Sequence, residues 1–216
     1  MYTIFQWFVK ITGWLPQLLV FQIKVYYEDK SVQDKRIRGK AIVISNHTKL
    51  FDFAHLMFVF WTRTLRCVAA EVLYAKNFLM QLFLKLMGMI RVDRDAHDFA
   101  FLSKCERILA KGGAVLIFPE SRLPRPEEER PLEFKPSAVY LALETGAPII
   151  PTYNNAEHFS RKNLRVIIGK PIDVRAMYDD SLSEKQNIDR ITQILRRKVI
   201  ALGEELNRQT GSETGR

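Results

Sequence analysis

Apolar positions along this chain keep two different periods in alternation. Short runs rich in β-branched residues predict strands at 41–45, 67–70, 114–118, 148–153 and 164–168, with a further short one inside 88–94. Between them, apolar residues spaced three and four apart predict helices. One covers about 48–61 and is apolar on most sides. Another, 76–90, sets Phe78, Leu79, Leu82, Phe83 and Leu86 against a polar face of Asn77, Gln81 and Lys85. A third, 99–111, aligns Phe101, Leu102, Cys105, Ile108 and Leu109 and meets Gly112 as its cap. Residues 137–145 form a fourth, stopped by Gly146. Ser181 or Ser183 then caps a long C-terminal helix with the stripe Ile188, Ile191, Leu195, Val199, Leu202 and Leu206. Residues 123–136, with Pro124, Pro126, Pro131, Pro136 and the acids 127–129, read as a loop. Strands alternating with helices predict an α/β fold: a single domain with a mostly parallel central sheet flanked by helices.

The first 23 residues break this pattern. Ile4, Phe5, Phe8, Ile11, Leu15 and Leu18 recur at helical spacing, Trp7 and Trp14 lie among them, and Pro16 is expected to bend or end the first helix. A buried N-terminal helix is one reading. The other, favoured by the density of large apolar side chains, is an N-terminal amphipathic helix pair lying in a membrane interface. Lys10, Gly13 and Pro16 interrupt the stretch, so no spanning helix is expected, and no cleavable leader is evident. The organisation read from the sequence is therefore a membrane-interface segment with a basic linker (1–40), a catalytic domain (41–208) and a flexible tail (209–216). For the helix over 76–90, core packing is the default, and a membrane-facing or acyl-chain-lining surface is the alternative.

Charge adds a class of partner. The net charge is +9, with seven Lys or Arg between Lys10 and Lys40 against three acids. That excess favours an anionic partner such as a membrane surface, a nucleic acid or a phosphorylated substrate. No nucleic-acid-binding motif and no basic stripe with interleaved aromatics accompany it. Cys67 and Cys105 have no ligand spacing and read as reduced thiols, with one disulfide between them the alternative. The four His, with no Cys beside them, form no zinc pattern. Nothing calls for a metal or cofactor.

Candidate chemistry sits where predicted strands end, at 46–52, 91–95 and 119–122, which is where parallel α/β sheets collect their ligands. Asn46-His47 follows the first strand, and Asp52 comes five residues after the His. On one continuous helix these two side chains would stand about 140° apart and never meet. With His47 in a turn before the helix, its ring folds back onto a carboxylate in the first helical turn. The acid then fixes the tautomer while the other ring nitrogen takes a proton from a substrate hydroxyl. Taken alone, a merely hydrogen-bonded structural His fits equally well. Arg94 and Arg122 are candidate anion ligands, since Arg matches phosphate in a two-point fork, although each also suits a surface ion pair. Glu120 either binds a substrate hydroxyl or pairs with an Arg. His55, His97 and His158 read as structural or surface residues.

Four blocks together resemble the glycerolipid acyltransferase family, the 1-acyl-glycerol-3-phosphate (lysophosphatidate) acyltransferases. Asn46-His47 with Asp52 matches its NHxxxxD block. Residues 88–94 resemble the second block, 118–122 with the FKPSA stretch from Phe134 resemble the third, and 147–151 resemble the fourth. The resemblance implies His47 as general base, oriented by Asp52, and Arg94, Glu120, Ser121 and Arg122 around the acceptor's phosphate and glycerol. It implies no cofactor, with acyl-CoA or acyl carrier protein as co-substrate. The implied partners are a lysophosphatidate-type acceptor and a membrane lipid surface, with no nucleic acid. The implied location is monotopic, on the cytoplasmic face of the membrane, with the acyl chain running near the helix over 78–90. Ser121 and Ser137 stand where the family has Gly, so the motif supports acyl transfer more strongly than this particular acceptor. A related acyltransferase for another lysophospholipid or an aminoacyl lipid remains open, and beyond it a non-catalytic basic binding module.

Overall fold

A computed structural model describes residues 2–74, 77–92, 100–155 and 164–211. In chain order the elements are α1 (Tyr2–Val20), β1 (Lys24–Tyr27), β2 (Ala41–Ser45), α2 (Asp52–Val59), β3 (Leu65–Ala70), α3 (Glu71–Tyr74), α4 (Phe78–Leu86), β4 (Ile90–Val92), α5 (Ala100–Ala110), β5 (Ala114–Ile117), α6 (Ser137–Thr145), β6 (Ile149–Asn154), β7 (Arg165–Ile168) and α7 (Glu184–Gly211), with a 3-10 turn at Arg175–Met177. The strands form one sheet in the order β1-β7-β6-β2-β5-β3-β4. Every neighbouring pair is parallel except β6 with β7.

The sheet is covered on both faces, as its unbroken apolar strands require. Ile42 and Ile44 of β2 pack with α5, α6 and α7 through Cys105, Leu141 and Leu195. Ala41 and Val43, pointing the other way, pack with Leu56 and Phe60 around α2. The central strand β2 lies between β5 and β6, with Ile44 opposite Ile117 and Ser45 opposite Thr152. This register brings the carboxyl ends of β2, β5 and β6 to one edge.

Several boundaries move, each for a local reason. α2 begins at Asp52 rather than 48, because the Thr48 and Lys49 amides turn back onto the Asp52 carboxylate. Asn77 caps α4 through the Met80 amide at 2.7 Å, and Gly88 at φ +66° closes the following turn. Residues 24–27, which the sequence reading gave to a basic linker, form β1 and pair with β7 inside the sheet. α7 continues to Gly211, past the point where the tail was expected to begin.

The N-terminal helix pair is corrected to one helix. α1 runs through Pro16 to Val20 and ends where Gln22 takes φ 46°. Pro16 removes one donor and falls only four residues from the helix end, so little of the helix depends on the missing bond. The upstream part is held by its polar residues. Gln6 donates to the Leu65 and Met87 carbonyls, both at 2.7 Å. Lys10, 0% exposed, donates to the carbonyls of Phe60 (3.0 Å), Trp61 (2.9 Å) and Arg63 (2.6 Å). Those carbonyls close α2 and the turn after it, where a cation is favoured. Burial lowers the Lys10 pKa to about 8. The opposite face of α1 is apolar and open: Ile4 is 75% exposed, and Phe8, Ile11, Trp14, Leu15, Leu18 and Leu19 are exposed with it. Phe5 reaches Phe83 of α4, ring centroids 6.2 Å apart, and beyond it Phe78 and Leu79 are exposed as well. No helix among the described residues is long and apolar enough to cross a membrane.

Candidate active site

The site is built on the residue that starts α2. Asp52 is 1% exposed, and its Oδ2 accepts from His47 Nδ1 (2.9 Å), the Thr48 amide (2.6 Å) and the Lys49 amide (2.9 Å). Its Oδ1 accepts from the Thr48 hydroxyl at 3.0 Å. A carboxylate in this bonding pattern only accepts, so His47 Nδ1 carries the hydrogen, and in the neutral ring Nε2 is then the nitrogen with the lone pair. His47 does sit in the turn outside the helix, as contact with Asp52 demands. Its ring stacks on Phe118 with centroids 4.2 Å apart and planes 19° from parallel. A ring held by a bond on one edge and a stack on one face has one orientation.

Glu120 holds the same turn from the other side. It is 4% exposed; Oε1 accepts from the His47 amide (2.7 Å) and Oε2 from the Leu132 amide (2.9 Å). The carboxylate thus ties the end of β5 to the backbone of His47 and to the loop after 123. Burial pushes its pKa above the ordinary carboxylate value, against the two amide bonds, which hold it down.

Asn46 completes the frame. Its side-chain amide donates to the Asn154 carbonyl (3.0 Å) and its Oδ1 accepts the Asn154 amide (2.9 Å), clamping the end of β2 to the end of β6. The Asn154 side chain also reaches Thr48 Oγ1, at 3.2 Å. Sequence reasoning missed Asn154, Thr48 and Phe118. Asn154 belongs to no motif, and only the β2–β6 register shows where it stands.

Ser121 and Arg122 follow Glu120. Ser121 has φ 62°, a conformation that favours glycine, the residue the sequence comparison by motif expects there. Arg122 forks onto Glu128, Nη1 to Oε2 at 2.7 Å and Nη2 to Oε1 at 2.6 Å. The guanidinium, through this bond and its charge, together with the Arg125 amide, pulls the Glu128 pKa down to about 2. Arg94 lies outside the described residues, as do His97 and His158, so its approach to Arg122 is not described. His55 is buried on α2 with its ring 4.4 Å from that of Phe21.

His47 opens onto an apolar cavity of ≈ 390 Å³, a size typical of ligand pockets. Phe53, Val68, Met80, Phe83, Phe101 and Ile117 are among its walls, and Ser121 and Arg122 stand at the polar end with His47. Helix α4 therefore divides its apolar residues between this cavity and the exterior, instead of packing them all into a core. Cys67, on the same wall, is a free buried thiol, like Cys105. Burial raises the pKa of both, that of Cys105 to about 12. Among the described residues no cluster of His, Cys, Asp or Glu is placed to hold a metal ion.

A basic nitrogen, its orienting carboxylate and an apolar cavity thus meet at the carboxyl edge of the sheet. Comparison with known proteins bears on what they do. The family model described as Acyltransferase matches residues 22–154. A 1-acyl-sn-glycerol-3-phosphate acyltransferase of Cocos nucifera is 31% identical over 140 residues, covering 63% of this chain and 44% of that protein. One of the same name from Haemophilus influenzae is 27% identical over 186 residues, covering 81% of this chain and 75% of that one. The chain spans about half the length of the plant relatives it matches. The crystal structure of the 1-acyl-sn-glycerophosphate acyltransferase PlsC from Thermotoga maritima superposes with a TM-score of 0.58 at 20% identity, over 85% of this chain and 73% of that one. This last likeness is one of fold.

Proposed function

The chain belongs to the acyltransferase family, and on that premise we propose that it transfers a fatty acyl group from an acyl thioester, acyl-CoA or acyl carrier protein, to the hydroxyl of 1-acyl-glycerol-3-phosphate. The observation that carries this reading is the 2.9 Å contact of His47 Nδ1 with Asp52, at the mouth of an apolar cavity. His47 Nε2 takes the proton of the acceptor hydroxyl as its oxygen attacks the thioester carbonyl. The tetrahedral intermediate collapses, the C–S bond breaks, and the departing sulfur takes the proton back from His47. Asp52 stabilises the imidazolium between these two transfers. Glu120 acts one step back, by fixing the backbone that carries His47.

The acyl chain lies in the cavity walled by Met80, Phe83 and Phe101, and Arg122 takes the acceptor's phosphate after leaving Glu128. The exposed apolar face of α1, continued by Phe78 and Leu79, docks in one leaflet as a monotopic surface. The basic excess suits the cytoplasmic face, whose anionic lipids attract Lys and Arg. A second reading keeps the chemistry and changes the acceptor. It is favoured by the Arg122–Glu128 fork, which occupies the proposed phosphate ligand, and by Ser121 in place of glycine.

The test is product analysis after incubating the purified full chain with acyl-CoA or acyl carrier protein and a panel of lysophospholipids in mixed micelles. Phosphatidate as the main product supports the first reading. Acylation of an uncharged or zwitterionic acceptor in preference supports the second, and no acylation of any acceptor from either donor contradicts both.

A further inference from the structure

A second cavity, of ≈ 670 Å³, lies on the other side of α4, between β4, α5 and the start of α1. Among the described residues it shares only Met89 with the walls of the first, and His47 is not in its lining. It differs from the first in charge. Five cations, Arg66, Lys85, Arg91, Lys104 and Arg107, line it, and no carboxylate does among the described residues. Arg66 is placed by construction rather than by chance. Its guanidinium lies over the Tyr2 ring at 4.9 Å and fills the space beside Gly88, where an added Cβ would stand 1.3 Å from Nη1. Any side chain at 88 would expel it. Arg91 lies 5.9 Å from the Tyr74 ring. These aromatic contacts orient the two cations without neutralising them.

The rim identifies the occupant. Tyr2, Phe78 and Leu82 border the cavity, all three exposed, and Phe78 is 72% exposed. They are continuous with the open apolar face of α1. A basic hollow edged by apolar side chains fits a molecule with an anionic head and apolar tails, whose tails remain in the leaflet while the head enters. We propose that this cavity binds the phosphate of an anionic phospholipid headgroup, at a site separate from the one that carries out acyl transfer. The proposal rests on α1 and α4 docking in a membrane. It adds a preference for acidic lipid that apolar insertion alone does not give.

The experiment measures binding of the full chain to vesicles of phosphatidylcholine alone and of phosphatidylcholine with phosphatidylglycerol. The variant is Lys104→Glu/Arg107→Glu on α5. A control, Lys185→Glu/Arg197→Glu on α7, carries the same charge change outside the cavity. Lys104→Gln/Arg107→Gln serves as a milder second variant, and circular dichroism checks folding of each. The expected result is tighter binding of the native chain to the acidic vesicles. That advantage falls by at least about tenfold in the cavity variant and by less in the milder one. Binding to phosphatidylcholine stays unchanged, and the control keeps most of its advantage. Turnover of short-chain soluble substrates stays native in all of them.

Equal loss in the control and the cavity variant overturns the proposal, since net charge would then explain the preference. A higher KM for acyl-CoA with vesicle binding intact also overturns it, assigning the cations to the donor's phosphates. Binding of the native chain to both vesicles alike overturns the headgroup site and leaves membrane docking standing, whereas binding to neither removes both.

Discussion

The turn at residues 46–52 and the outer face of α1 arrange polarity in opposite ways. In the turn, polar groups are sunk and matched: Asp52 accepts four hydrogen bonds, Glu120 two, and Asn46 is clamped to Asn154. On α1, the polar residues Gln6 and Lys10 face the protein, and Ile4, Phe8, Ile11, Trp14, Leu15 and Leu19 face out. A soluble helix is built the other way round. The first region is complete within the chain, so its geometry is fixed before substrate arrives. The second is incomplete by itself, because its apolar surface has nothing of this chain to cover it among the described residues. The first arrangement suits preorganised chemistry, and the second leaves an apolar surface for the proposed membrane contact.

The largest effect that would break this contrast is at Asp52. Asp52→Asn keeps the shape but puts an amide where three N–H groups converge, and it frees the His47 tautomer. Turnover is expected to fall by about 10²–10⁴ with the fold retained, measured by steady-state kinetics. On the other side of the comparison, Ile11→Gln/Leu15→Gln should lower vesicle partition about tenfold or more and leave turnover of soluble short-chain substrates unchanged. A loss of both together would mean that the two regions are not separable.

Lys10 sharpens the comparison through stability. Lys10→Met leaves the carbonyls of Phe60, Trp61 and Arg63 without their donor and should destabilise the fold by about 1–3 kcal/mol, read by denaturant unfolding. The pH dependence has a definite sign. Burial takes the Lys10 pKa from 10.5 down to about 8. Between those values the unfolded chain keeps a proton that the folded chain releases, so this group adds stability as pH rises through that window. The Met variant should lose that slope. The smallest effect is expected at Glu128. Glu128→Gln releases Arg122 and should lower KM for lysophosphatidate by about two- to fivefold, with little change in melting temperature because the pair lies at the surface.

What was legible in the sequence follows the distance over which each feature is decided. His47 and Asp52 lie five residues apart, and helix geometry alone required His47 to be outside α2. The sheet and its flanking helices followed from period and length. Glu120 was seen, but its partners were not, since the His47 and Leu132 amides reach it only through the β2–β5 pairing and the loop that returns. Asn154 was invisible for the same reason. For α1, the period showed an apolar face without showing which way it turned. The direction is set by carbonyls at Phe60, Leu65 and Met87, remote in sequence, which draw Gln6 and Lys10 inward. Pro16 suggested two helices because its cost is local, whereas the anchoring of α1 is tertiary.

The central claim is that His47 moves the proton in acyl transfer. The direct measurement is phosphatidate formation by His47→Ala and by the native chain, from acyl-CoA and lysophosphatidate in mixed micelles, with circular dichroism confirming the same fold. A fall of at least about a hundredfold in kcat, with vesicle binding unchanged, is the expected result. Native turnover in the variant would contradict the account.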